Sequence, residues 1–358
     1  MQSWSKIKSM LIDTVDTRPS PESSKYDEKI CPACRRTFSK KLVVCKSDGT
    51  LLISLLNVSF AHRRLANDMG NGLAESQYKM QGMLGEGDLT TAFNAFDVET
   101  KSSVVIKVIK SHVLGNSRRL HRFAKSLEET IGLRHEGIAK VIDVAITRDR
   151  NSSYSISQLF IVTEKLNGMN LKRILSDFGI LAPYVVIEAM IQVCETLAYA
   201  ANIGWLHKDL KPSNIYLSVK DDQLLVKICD FGVADRLFSN CEWESKGTKT
   251  GSLYGNAAYM CPDVIFGGEH SVTSEIYSLG CVMYHLLKGM PPFEGLNDFG
   301  TLMKHRDEEA RPFAPELKIP AELETVVMKC LQKQQENRYQ SFDDLAKSLN
   351  AIKNISAS

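Results

Sequence analysis

The chain has 358 residues, room for one large domain or two to three smaller ones, and its 44% hydrophobic share is enough to fill a core. Its 44 basic residues nearly balance 42 acidic ones, for a net charge of +2, which excludes a general field toward nucleic acid or a membrane surface. Nine cysteines, an odd number scattered along the chain, fit a reducing compartment rather than a disulfide framework.

The N-terminus has no apolar run of the secretory kind, and no window reaches the ~18 consecutive apolar residues of a membrane span. The expectation is a soluble, cytoplasmic protein. Residues 1–30 are polar, with Pro19 and Pro21 among serines and charges, and read as a flexible leader. Residues 31–56 are a cysteine segment with an apolar tail. Cys31 and Cys34 form a CxxC, and Cys45 is followed by Asp48 where a second CxxC would end. These residues alone leave two readings open: a zinc site with one carboxylate ligand, or free thiols beside a turn at Gly49. Arg35, Arg36, Lys40, Lys41 and Lys46 would suit nucleic acid, but Phe38 is the one aromatic among residues 31–50 and no CxxC…HxxxH finger accompanies them. Residues 57–77, which include "NDMGNGLAES", read as a linker.

From Tyr78 the pattern changes. "YKMQGML", "TAFNAFD", "SSVVIKVIK" and "SQLFIVTEKL" are short bounded runs that predict strands, and residues 118–133 predict a helix. After about residue 170 helices dominate. Val186, Met190, Val193 and Leu197 recur at helical spacing, as do Ile276, Leu279, Met283 and Leu286. Ser341 and Asp344 form a capping box for a last helix. Strands first and helices later predict an α+β layout in two lobes.

Four motifs carry chemistry. "MLGEGDLTTAFNAF" sets Gly85 and Gly87 between two predicted strands, where backbone N–H groups can approach phosphates. "VVIK" ends in Lys107. "WLHKDLKPSNIYLS" holds Asp209, able to accept a hydroxyl proton, Lys211, able to neutralise phosphate charge, and Asn214, able to offer a carbonyl oxygen to a hard cation. "LLVKICDFGVAD" sets Asp230 after an apolar strand, placed to hold Mg²⁺.

In this order and spacing, residues 78–353 resemble a eukaryotic-type protein kinase catalytic domain of the Ser/Thr kind, with "CPD" (261–263) in the place of its APE and Arg338 in the place of the arginine that pairs with the acidic residue there, here Asp263. The resemblance implies a two-lobed fold with a small β-rich N-lobe and a helical C-lobe. It implies ATP and Mg²⁺ (or Mn²⁺) as cofactors and protein substrates as partners, without setting an oligomeric state. Leu84, Gly85, Glu86, Gly87 and Ala92 would cover the phosphates and adenine. Val105 would touch adenine, Lys107 would hold the phosphates, and Thr163 would be the gatekeeper. Glu164 and Leu166 would bond adenine through their backbones. Asp209 would be the catalytic base with Lys211 beside it, and Asn214 and Asp230 would ligate the metal.

Some positions depart from the family pattern. Thr90 replaces the third glycine of the loop. Ser126 stands where a glutamate would pair with Lys107; Glu129, roughly on the same helix face, could substitute if the helix slides by most of a turn, and the other reading leaves Glu128 and Glu129 solvated. That departure keeps a second reading open, an ATP-binding pseudokinase or scaffold with weak or no phosphotransfer. Lys208 replaces an arginine that grips phosphorylated loops, Asn256 a bracing threonine, Asp263 a glutamate and Glu275 an aspartate. Ser239, Ser245, Thr248, Thr250 and Ser252 offer hydroxyls for autophosphorylation. The cysteine segment in turn resembles the zinc-ribbon-like segments that precede some bacterial Ser/Thr kinase domains. That resemblance implies a structural Zn²⁺ held by Cys31, Cys34, Cys45 and Asp48.

Overall fold

The computed structural model describes residues 8, 11, 28–30, 37–39, 46–47, 53–54, 78–87, 90–109, 125, 127–148, 156–233 and 257–357. The chain divides into two compact units. One, the strand unit, takes Thr17–Arg134 and Lys140–Lys165; the other, the helical unit, takes Met1–Asp16, His135–Ala139 and Leu166–Ser358. Strands therefore precede helices, as the sequence predicts.

The strand unit holds two sheets. The smaller is antiparallel with order β2-β1-β3, from β1 (Glu28–Ile30), β2 (Thr37–Ser39) and β3 (Ile53–Ser54). The larger runs β4-β5-β6-β8-β7, from β4 (Tyr78–Glu86), β5 (Thr90–Asp97), β6 (Ser102–Ile109), β7 (Val141–Arg148) and β8 (Ile156–Glu164). Period-2 alternation divides its faces. Phe93, Ala95, Val104, Ile106, Val108, Phe160 and Val162 are buried together with Tyr78 and Met80 on one face. The turn joining β5 to β6 is closed by buried Asp97, whose carboxylate accepts from Glu99 N at 3.0 Å and from the Thr100 hydroxyl at 2.8 Å. That turn sets the register Asp97 to Ser102, and hence Lys107 opposite Ala92.

Of the helix predicted over 118–133, residues 125, 127 and 128 are helical and Glu129–Gly132 is a 3₁₀ turn. Ser126 lies outside the described residues. Leu127 is buried, Glu128 half-buried and Glu129 exposed.

In the helical unit, β9 (Met169–Asn170) and the hairpin β10 (Ile215–Lys220)–β11 (Gln223–Ile228) form a small sheet. Gly168 lets β9 approach β10: its φ is +87°, and a Cβ there would sit 1.9 Å from Leu217 O. The helices are α1 (Leu171–Phe178), α2 (Pro183–Asn202), the short α3 (Pro262–Ile265), α4 (Val272–Lys288), α5 (Asp298–Asp307), α6 (Ala321–Cys330) and α7 (Phe342–Ala357). Both predicted apolar faces are buried: Val186, Met190, Val193 and Leu197 on α2, and Ile276, Leu279, Met283 and Leu286 on α4. At Gly280, α4 and α6 meet so closely that a Cβ would lie 2.7 Å from Cys330 Cβ. The Ser341 hydroxyl accepts from Asp344 N at 3.1 Å and donates to the Asp344 carboxylate, capping α7. Among the described residues, α2 is the one helix long and apolar enough to cross a membrane, and most of it is buried inside the unit as a core helix.

Within residues 1–30 the described positions are few. Lys8 and Leu11 are helical, Leu11 is buried, and residues 28–30 are strand. The linker at 57–77 lies outside the described residues.

A buried guanidinium ties α3 to the chain before α7. The Arg338 side chain has no exposure and every one of its N–H groups has an acceptor. Nη2 meets Asp263 Oδ2 at 2.7 Å and Lys333 O, Nη1 meets Cys261 Sγ and Thr273 O, and Nε meets Gln332 O. The Cys261 thiol also donates to Asp263 Oδ2 at 2.9 Å. Burial pushes the Asp263 carboxyl upward, but the hydrogen bonds from Cys261 and Arg338 outweigh it, and the net direction is below the usual carboxylate value. A depressed folded value means stability present above about pH 4 and lost as acid protonates the folded state. Asp263→Asn is therefore expected to destabilise fully at pH 7 and progressively less below about pH 4. Urea unfolding across that range checks this, and a pH-independent difference would contradict it.

Candidate active site

The strand unit supplies one half of the predicted set. Across the register, Ala92 pairs with Lys107 and Lys107 with Ile161, while Asn94 pairs with Val105 and Val105 with Thr163. Partners in a ladder share a face, so Ala92, Val105, Lys107 and Thr163 all lie on the face opposite the Phe93–Ile106–Val162 core. Gly85 pairs with Ala92, and register shifts around Gly82 and Gly85 bend the end of β4. Gly87 N donates to Thr90 O at 2.8 Å. A Cβ at Gly85 would meet nothing within 4 Å among the described residues, and Leu84 is half exposed. Glu164, at the end of β8, is held to Lys140 twice. Its Oε1 accepts from Lys140 N at 2.8 Å, and its own N–H donates to Lys140 O at 2.9 Å.

The helical unit supplies the other half. Gln192 on α2 donates to Leu224 O at 2.9 Å and accepts from Val226 N at 3.1 Å, fixing β11 against α2. The loop from α2 to β10 then carries His207, Lys208, Asp209 and Lys211. His207 is fully buried. Its Nε2 lies 2.9 Å from Cys229 O, which can only accept, so Nε2 carries the proton. Nδ1 is then the acceptor for Asp209 N at 3.2 Å. Burial lowers the pKa of the ring and keeps it neutral, as the Nδ1 acceptor role requires. The ring stacks edge-on against Phe231, centroids 5.1 Å apart.

Lys208 turns the loop with a left-handed backbone (φ 63°), and its N–H donates to Oε1 of buried Glu275 on α4 at 2.6 Å. Asp209 Oδ2 receives Lys211 Nζ at 2.7 Å and Asn214 Nδ2 at 3.2 Å. Asn214 Nδ2 also donates to Asp209 O at 2.9 Å. Burial pushes the Asp209 carboxyl above its usual value, against the pull of Lys211. Asn214 spends its amide hydrogens on Asp209, while among the described residues its Oδ1 accepts from the Ser213 hydroxyl alone, at 3.4 Å. Asp230 follows with φ 61°, and residue 229 is pinned on both sides, its N–H by Asn214 O at 2.8 Å and its carbonyl by His207.

The structure thus gathers Asp209, Lys211 and Asn214 into one hydrogen-bonded group, with Asp230 tied to it through Cys229. It aligns Ala92, Val105, Lys107 and Thr163 on one sheet face. Leu166 is half-buried and opens the helical unit. His207 and Cys229, which hold the group together, received no role from the sequence; the histidine two residues before Asp209 was the available signal. Cys31, Cys34, Cys45, Asp48, Asn256 and the hydroxyls of 239–252 lie outside the described residues. The donor set suits a hard divalent cation, because Asn214 Oδ1 and the Asp230 carboxylate are both oxygen ligands.

Comparisons with known proteins identify the family. The family model described as "Protein kinase domain" matches residues 78–349. The chain is 30% identical over 274 residues to the serine/threonine-protein kinase PknB of Mycolicibacterium smegmatis, covering 76% of this chain and 42% of that one. It is 29% identical over 279 residues to PknB of Mycobacterium tuberculosis, covering 78% and 43%. The chain thus spans less than half the length of these relatives. Among solved structures, Rad53 in complex with AMP-PNP has a similar fold, with TM-score 0.61 at 23% identity, covering 78% of this chain and 65% of that one. The Mycobacterium tuberculosis PknI kinase domain gives 0.59 at 19%, covering 80% and 100%.

A neutral histidine makes the fold sensitive to acid. Unfolded, the ring takes a proton near pH 6.5; folded, it resists, so its contribution is present above that pH and declines below it. His207→Phe is expected to lose about 1–3 kcal/mol at pH 7.5 through the two unpaired loop groups, and to show a smaller loss at pH 5. Urea titrations at the two pH values measure this; equal losses at both would contradict it.

Proposed function

The chain belongs to the protein kinase family, and from that premise we propose that it transfers the γ-phosphate of ATP to serine and threonine hydroxyls of proteins. The observation that carries this reading is the Asp209 carboxylate. One of its oxygens, Oδ2, is occupied by Lys211 and Asn214, and the described residues give no hydrogen bond to the other. Oδ1 is then the acceptor for the proton of an incoming hydroxyl, and Lys211 supplies a positive point charge beside the transferring phosphate. A raised carboxyl pKa favours that proton's capture. Asn214 Oδ1 and Asp230 would hold Mg²⁺, which neutralises phosphate charge when bound. On the strand unit, Gly85 and Gly87 would admit phosphates to backbone N–H groups, Ala92 and Val105 would face adenine, and Lys107 would hold phosphate oxygens. Thr163, beside them on the same face, would bound the adenine site, with Glu164 and Leu166 bonding adenine through their backbones.

The same reading extends to residues 31–56 as a zinc-ribbon-like module. Supporting it, Cys31 and Cys34 fall in the connection between β1 and β2, and Cys45 and Asp48 fall in the connection between β2 and β3. Two paired strands would then carry the two halves of the ligand set, and Zn²⁺ would supply folding energy to a unit too small for a core.

Two experiments test these readings. Phosphate transfer from ATP·Mg²⁺ to a generic basic protein is expected to fall about 10²–10⁴-fold in Asp209→Asn with nucleotide binding retained; wild-type transfer no higher than the variant's would remove the activity. Elemental analysis is expected to find one zinc per chain, lost in Cys31→Ser. A metal-free protein in which residues 28–54 keep their hydrogen-exchange protection would remove the zinc site.

A further inference from the structure

The N-terminal segment has no part in the activity proposed above, yet it is attached to the helical unit. Lys8 and Leu11 are helical positions one turn apart, and Leu11 is 3% exposed. Lys8 Nζ forms an ion pair with Asp222 Oδ1 at the tip of the β10–β11 hairpin, where Asp221 and Asp222 both adopt left-handed backbone. The same ammonium acts electrostatically on the phenol of Tyr184, in the first turn of α2. These two elements are a single surface, since Gln192 of α2 bonds to Leu224 and Val226 of β11. Lys8 therefore reads two elements that are far apart in sequence but locked together in the fold.

The sequence around these anchors has the matching pattern. Trp4, Ile7, Leu11 and Val15 fall at i, i+3, i+7 and i+11, one narrow apolar stripe on a helix, and Lys8 borders it. A helix of about twelve residues is marginal alone in water, so it needs a surface to form against. We propose that the N-terminal segment carrying Lys8 and Leu11 is an intramolecular docking element, seated on the helical unit beside the first turn of α2 and the β10–β11 turn, with buried Leu11 as its apolar anchor and the Lys8–Asp222 pair fixing its register. The Asp222 side chain is 84% exposed, so the pair sits at a wet rim and sets orientation more than affinity. The occupant is this chain's own segment, because Lys8, which makes the ion pair, and Leu11, which is buried, both belong to it.

Hydrogen exchange and zero-length crosslinking of the full chain test this. Residues 4–15 are expected to be protected in the wild type, and Leu11→Asp to lower that protection about tenfold or more, with β4–β8 unchanged. Lys8→Glu and Asp222→Lys should each lower it about two- to threefold, and the double exchange should restore it. A carbodiimide should join Lys8 to Asp222, and in an equal mixture of ¹⁴N and ¹⁵N chains the crosslinked peptides should be isotopically uniform. Random-coil exchange of residues 4–15 in the wild type, no effect of Leu11→Asp, charge reversals that fail to compensate, or mixed-isotope crosslinks showing a leader docked on a second copy would each overturn the proposal.

Discussion

The neutral, buried ring of His207 is the constraint on which the geometry of the candidate site rests. One ring nitrogen donates to Cys229 O and the other accepts Asp209 N, so a single side chain fixes both the loop of the candidate base and the residue preceding Asp230. Burial, helped by the nearby Lys211 charge, keeps the ring neutral, and a protonated ring would turn the Asp209 N–H from a partner into a competitor. With both segments held, the backbone sustains left-handed conformations at Lys208 and Asp230, which neither side chain favours by itself. Glu275 holds the first of these from α4 by accepting the Lys208 N–H.

The departures from the family pattern gain meaning from this packing. Glutamate at 275 is longer than the expected aspartate, yet it still reaches the loop N–H at 2.6 Å. Aspartate at 263 is shorter than glutamate, and it still meets Arg338 at 2.7 Å. Here a second change offsets the first: Cys261 places a thiol between the two, donating to Asp263 and accepting from Arg338. The buried guanidinium then finds five acceptors without one being left over. Supporting residues have changed in length while the bonds they make are kept.

Much of the fold was legible because it rests on period. The stripes at Val186–Leu197 and Ile276–Leu286 are buried as read, and the short apolar runs at 78–110 are strands. β7 escaped because Asp143, Thr147 and Arg148 interrupt its apolar run, and β9 because two residues carry no period at all. At Lys8 and Leu11 the local sequence says less: the apolar positions around them are sparse within a polar stretch, and the pairing of Lys8 with Asp222 and the burial of Leu11 are tertiary facts that no local period records.

Residue types at fixed spacing carry the proposed chemistry. The Gly85–Gly87 loop, a lysine ending one strand, HxDxKxxN and DFG mark candidates for phosphate-facing glycines, a phosphate-holding cation, a hydroxyl acceptor and a metal-ligand pair before any coordinates, because each is a short-range pattern with few alternative uses. Partners remote in sequence are a different matter. The tautomer of His207 depends on a carbonyl 22 residues away, the reach of Glu275 on a loop 67 residues away, and the burial of Arg338 on a thiol 77 residues away. Spacing along the chain holds no record of such distances; close packing of α2, β11 and α4 creates them.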